Sequence, residues 1–141
     1  MTNILVPVDG SESASRAVEV AIQAYRLQED AIIHLVTVHP PIVSGNVKRF
    51  FSAEILQEYY NDEGRTALQP AKAILDKAGV KYTESIIVGP IAESIANYVK
   101  QHECAHVVMG TRGLGSITGM VLGSVATKVL SLVSVPVTLV K

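Results

Sequence analysis

The chain has 141 residues, 48% of them hydrophobic and 18% charged, with a formal net charge of -1. That length is expected to fold as one globular domain, residues 1–141, and the composition excludes a disordered chain. The near-neutral charge excludes a general attraction to nucleic acid or an anionic membrane, and the absence of Trp leaves few stacking platforms for single strands.

The apolar runs are strand-sized and cut by Pro, Gly or charge, so no membrane insertion is expected. The opening MTNILVPVDG has no basic n-region and no small-residue cleavage site, so no secretory signal is expected. The single cysteine, Cys104, rules out an internal disulfide and suits a reducing, cytoplasmic location.

Asn3 to Val8, NILVPV, is almost wholly apolar, as in a strand covered on both faces. Pro7 limits the ladder near its end. Asp9-Gly10-Ser11-Glu12 follows as a turn, with Asp9 or Ser11 capping a helix from Ala14 to Leu27. Ala31 to Val38 is a second buried strand. His39 to Phe51 has two prolines, a glycine and no clean period, and reads as a long loop. Ser52 caps the next helix, whose apolar stripe runs to Ala78; Pro70 is expected to kink or interrupt it, and Gly79 to end it.

Lys81 to Val88 contains the third strand. Gly89-Pro90 opens a short helix with Pro90 near its first position. Ala105 to Met109 is the fourth strand, Gly123 to Val133 the last helix, and Val135 to Val140 the fifth strand. This alternation predicts an α/β fold: an open, mostly parallel five-stranded twisted sheet with helices on both faces, in strand order 3-2-1-4-5. Ligands of such sheets bind at the carboxyl ends of the strands where the order reverses, here between strands one and four.

The stretch from Ala105 to Val125 places a glycine-rich loop at that point, spaced Gly110-x2-Gly113-x9-Gly123-Ser124. So little side chain lets backbone N–H groups approach an anion. A helix starting at Gly123-Ser124 adds its positive dipole end. The pattern reads as a phosphate cradle. It is not a P-loop, which needs Gly-Lys-Ser/Thr, and not a dinucleotide fingerprint, whose third glycine falls at Thr118.

Three stretches together resemble the universal stress protein family: ILVPVDGSESASRAV with Pro-x-Asp after strand one, the full Gly-x2-Gly-x9-Gly-Ser spacing, and the closing SVPVTLVK. The resemblance covers the whole chain. It implies an adenine-nucleotide-binding α-hydrolase-like domain that binds ATP, with Mg²⁺ bridging the phosphates, and regulates stress survival rather than acting as a dedicated enzyme. By position, it implies Pro7, Val8 and Asp9 along the adenosine, Val38 meeting the adenine through its backbone, and Met109 and Gly110 flanking the ribose. Arg112 and Gly113 line the phosphate side. Gly123, Ser124 and Val125 hold phosphate oxygens through N–H groups, and Ser124 also through its hydroxyl. A slow ATP hydrolase, or an interaction module taking AMP or no nucleotide, are the alternatives. No positioned base or nucleophile stands out, so no catalytic residue is assigned.

Plainer roles stand beside these. Asp9 caps helix one as readily as it meets a ligand. Arg112 reaches a phosphate or lies solvated over the loop. His34, His102 and His106 lack ligand spacing and read as packed or helix-end residues, so no metal ligands are assigned. His39 opens the long loop near the presumed adenine. Val135 to Val140 forms an apolar sheet edge that Pro136 only partly blocks, and a two-fold homodimer through this strand is expected, as the resemblance also implies.

Overall fold

The computed structural model describes residues 1–42, 51–112 and 122–141. Within them the chain runs β1 (Thr2–Pro7), α1 (Glu12–Arg26), β2 (Ala31–His39), α2 (Ala53–Ala78), β3 (Tyr82–Val88), α3 (Ile91–Gln101), β4 (His106–Gly110), α4 (Ser124–Leu132) and β5 (Val137–Val140). The strands form one parallel sheet in the order β3-β2-β1-β4-β5.

Successive strand residues point to opposite faces, and both faces of the inner strands are covered. On one face Ile4, Val6, Val8, Ile33, Leu35 and Val108 pack against Ala17, Val18 and Ala21 of α1 and Leu68 and Leu75 of α2. On the other face Leu5, Val36, Val107 and Met109 pack against Ala92, Ile95 and Val99 of α3 and Ala126 and Val129 of α4. Each fully buried Leu, Ile or Val contributes about 1.5–3 kcal/mol relative to exposure. This explains why β1 and β2 read as mostly apolar runs, whereas edge strand β3 exposes Thr83, Glu84 and Val88.

Local signals set the helix ends. The Ser11 hydroxyl accepts from the Ala14 N–H at 3.2 Å and caps α1. Asp9 does not take that role: its Oδ1 accepts from the Ser11 N–H at 3.0 Å, closing the turn before the cap. Gly10 sits between them at φ 85°, which favours glycine. Ser52 caps α2, and Gly79 ends it in the left-handed region at φ 68°.

Most elements shift by a residue or two from the expected bounds, and three prolines bear on how the elements run. Helix α2 continues through Pro70 without interruption. Leu68 and Ala71, at 1% and 2% exposure, lock both sides of the proline into the core, while exposed Pro70 leaves the freed carbonyl in reach of water. Pro90, expected near the first position of α3, is the residue immediately before it, at ψ 129°. Strand β5 begins at Val137 rather than Val135; Pro136, lacking an N–H, contributes only its carbonyl, which accepts from the Val107 N–H at 3.0 Å.

Helix α2 also carries a glycine in its interior. A Cβ on Gly64 would lie 2.6 Å from the Ile86 side chain, so the glycine lets α2 lie directly on β3. Of the long loop expected over His39 to Phe51, residues 43–50 lie outside the described residues. Among the described residues, no helix is long and apolar enough to cross a membrane.

Candidate functional site

The strand order reverses between β1 and β4. They pair Ile4 with His106 and Leu5 with Val107, which brings Pro7 level with Met109 at the carboxyl edge. Strand β2 outruns β1 there. The last pairing is Pro7 with Val36, and the Val8 N–H donates to the Val36 carbonyl at 2.8 Å. Backbone direction alternates along a strand, so the N–H and C=O of Val38 also face the β1 side, past the point where β1 ends. The neighbouring His39 carbonyl faces the other way and accepts from the Gly89 N–H at 3.0 Å.

Below this edge lies an apolar floor. Met109 is 5% exposed, and Val38, Ile87, Ile91, Leu122 and Val125 pack into the same cluster. Pro7 shares the face of Leu5 and borders it. Val8 points to the opposite face, buried against α1 and α2, so only its backbone is on offer at the edge.

The polar side comes from α4. Its N-cap is Gly123, no side chain caps it, and its first turn holds no acidic residue. The N–H groups of Ser124, Val125 and Ala126 are the orphan donors of that turn, and the helix dipole adds positive potential. Gly123 itself departs from expectation. Its N–H, expected at a phosphate oxygen, donates to the Thr111 carbonyl at 2.5 Å. A Cβ there would lie 3.0 Å from the same oxygen, so this glycine serves the close approach of two backbones.

Gly110 likewise has a packing role. A Cβ on it would collide with the Ser13 hydroxyl of α1, which donates to the Val140 carbonyl at 3.0 Å. Arg112 is half-buried two residues past the end of β4. Gly113 lies outside the described residues. Asp9 sits half-buried at the end of β1 with one carboxylate oxygen engaged by the turn. His39 is turned away from the floor: its ring lies 5.6 Å from Tyr59 and 5.4 Å from Tyr60, on the α2 face, and its Nδ1 contacts the Pro40 carbonyl at 2.7 Å.

One residue escapes the sequence reading. Thr111 is 6% exposed, and its hydroxyl has no hydrogen-bond partner among the described residues. It occupies an unspecified position between Gly110 and Gly113, so the motif gives no hint of it. A buried hydroxyl without a partner costs about 1–3 kcal/mol, and a ligand oxygen beside it would recover that.

These groups suit a phosphate: uncapped amides, a positive helix end, an orphan hydroxyl and no competing carboxylate on α4. A metal ion is different. Among the described residues no group of three or more His, Cys, Asp and Glu could hold one. Mg²⁺ fits only as an ion carried by phosphates, with Asp9 the nearby carboxylate.

Comparison with known proteins agrees with the fold. The universal stress protein family profile matches residues 1–141. A universal stress protein of Thermus aquaticus is 31% identical over 98% of this chain and 97% of its own. One from Methanocaldococcus jannaschii is 29% identical over 98% of this chain and 81% of its own. Among solved structures, a Lactobacillus plantarum universal stress protein superposes with a TM-score of 0.83 at 23% identity, covering 99% of this chain and 97% of that one. A further universal stress protein, solved in complex with cAMP, superposes with a TM-score of 0.73 at 25% identity, covering 99% of this chain and 97% of that one. Others of this fold are solved with dAMP and with AMP. The chain belongs to the universal stress protein family.

Proposed function

We propose that this chain is an ATP-binding regulator of the stress response, with bound nucleotide altering its dimer or partner behaviour. The observation that carries the reading is the meeting of an apolar floor with the uncapped start of α4 at the reversal of strand order. A purine ring lies on Met109, Val38 and Ile91. The Val38 N–H and C=O, side by side at the open edge, suit the N1 acceptor and N6 amino donor of adenine; guanine presents the opposite pattern there. The ribose lies between Asp9 and Gly110. The phosphates run to Ser124 and Val125, with Arg112 and Thr111 beside them; a Mg²⁺ carried by the phosphates would have Asp9 as the nearby carboxylate and would offset their charge.

The adenine nucleotides held by relatives of this fold support the base. All three carry a single phosphate, which favours AMP as a second reading. The glycine spacing from Gly110 to Gly123 favours the longer ATP. Among the described residues no side chain at the site is placed as a base for water, so binding without fast hydrolysis is the function proposed, in the cytoplasm and as a homodimer through the open edge of β5. Calorimetry with ATP, ADP, AMP and GTP tests this. Saturable ATP binding, tighter than AMP and far tighter than GTP, is expected. AMP binding as tightly as ATP selects the second reading, and no binding of either refutes both.

A further inference from the structure

At the opposite edge of the sheet a buried polar network ties the C-terminal end of α3 to β1 and β2. His34 of β2 is 8% exposed and Tyr98 of α3 is 6% exposed. The His34 Nδ1 lies 2.7 Å from the Tyr98 hydroxyl and its Nε2 lies 3.1 Å from Asn3 Oδ1. The Asn3 amide nitrogen donates to the His102 carbonyl at 2.8 Å. The Tyr98 and His102 rings stack, with centroids 3.9 Å apart.

Donor and acceptor chemistry fixes the polarity of this chain of bonds. Asn3 spends its NH₂ on a carbonyl, which can only accept, so its oxygen must accept from His34. Neutral His34 therefore carries its hydrogen on Nε2. Its bare Nδ1 accepts from the Tyr98 hydroxyl. A second proton on His34 makes Nδ1 a donor, so the Tyr98 oxygen must accept from it, the Tyr98 O–H must turn to another acceptor such as the Ser85 or Thr83 hydroxyl, and a charge is left buried. It also places a cation 5.6 Å, ring to ring, from His102.

We propose that His34, Asn3, Tyr98 and His102 form an acid-sensitive latch: a proton on His34 releases the C-terminal turn of α3, together with Cys104, from the sheet. The groups facing His34 are few. Strand β1 offers Asn3, which does not titrate. Strand β3 offers the neutral hydroxyls of Thr83, its register partner, and Ser85 beside the Tyr98 oxygen. Helix α3 offers Tyr98, with His102 at its end and Cys104 just beyond. His102 is the neighbouring charge that disfavours a cation on His34.

The direction of the pH effect follows. Unfolded, His34 binds a proton near pH 6.5; folded, burial first and His102 second hold it below that value. The unfolded or released state thus binds more protons. The latch is at full strength above about pH 6.5 and weakens as the pH falls toward the lower folded value. His106 is held down by burial in the same direction, but its Nε2 lies 2.7 Å from Thr138 of β5, away from the latch.

Cys104 is the reporter. It is the single cysteine, 3% exposed, and its N–H donates to the Val99 carbonyl at 3.0 Å. Labelling with 4,4′-dithiodipyridine between about pH 7.5 and about pH 5, divided by the rate for the urea-unfolded chain, gives the opening constant. That constant is expected to rise by up to about tenfold per pH unit below about pH 6.5, with little dependence on low urea. His34→Gln should flatten the profile, and His106→Gln should leave it intact. A wild-type profile that is flat, or a His34→Gln profile as steep as wild type, overturns the latch. Should His34→Gln fail to fold, Tyr98→Phe serves. Without the donated O–H, neutral His34 loses stabilisation, and its NMR titration midpoint should move up. An unmoved midpoint overturns the assignment.

Discussion

Replacing Ser124 by Glu separates ligand binding from folding, because the two effects have opposite signs. Ser124 is exposed in the first turn of α4, which has no acid and no side-chain cap. A carboxylate there complements the helix dipole and should stabilise the ligand-free protein by about 0.3–1 kcal/mol. The same carboxylate would face a phosphate at roughly 5 Å. At an effective dielectric of about 40 the repulsion is about 1.7 kcal/mol. Loss of the hydroxyl bond to a charged oxygen adds about 1.5 kcal/mol. The sum, about 3 kcal/mol, predicts an ATP affinity weakened by about 150-fold, while the thermal midpoint of the free protein stays level or rises by about 1–4 °C. Calorimetry and a thermal melt on the same sample read both. Wild-type ATP affinity in this variant would show that phosphates do not sit at α4, and the proposed pose would fall.

Gly64→Ala should destabilise by about 1–2 kcal/mol in urea despite Ala's better helix propensity, because its Cβ meets Ile86; pairing it with Ile86→Ala should give a coupling of at least about 1 kcal/mol. Val137→Pro should leave β5 paired to β4 but turn a dimer into a monomer in analytical ultracentrifugation. The Pro136 carbonyl accepts from Val107 of β4 and the Val140 carbonyl from Thr111 just past it, so the alternate residues Val137 and Leu139 face the open edge. Gly110→Ala should lose about 1–3 kcal/mol of stability through its clash with Ser13, with Ser13→Gly restoring part of it whether or not nucleotide is present.

The inner strands were legible because parallel strands buried on both faces are mostly apolar, and β1 and β2 are so apart from a few polar residues such as Asn3, His34 and Thr37. Pro70 does not interrupt the helix because Leu68 and Ala71 anchor it on either side, which a rule that sees only the lost hydrogen bond misses. The His34 network was invisible for a different reason. Its partners Asn3 and Tyr98 lie 31 and 64 positions away, and no local period joins them. His34 reads correctly as a core histidine, yet what satisfies it comes only from the fold. His39 reads as a neighbour of the adenine, but strand alternation turns it onto Tyr59 and Tyr60 instead.

The glycine signature shows how one pattern can answer two demands. Small residues at 110 and 123 were read as room for an anion. At Gly110 the room is taken by Ser13 of α1, and at Gly123 by the Thr111 carbonyl. Both contacts hold the end of β4 against elements that frame the site: α1 and β5 through Ser13 and Val140, and α4 through Gly123. Gly123 spends its own N–H in bringing α4 to that edge, which leaves Ser124 and Val125 as the outward-facing amides. In the proposed site the glycines would therefore act on a phosphate chiefly by setting where other donors stand. Loss of binding on substituting either one would not by itself distinguish a contact from a displaced helix, whereas a charge placed at Ser124 changes the potential at the site and leaves the backbone where it is.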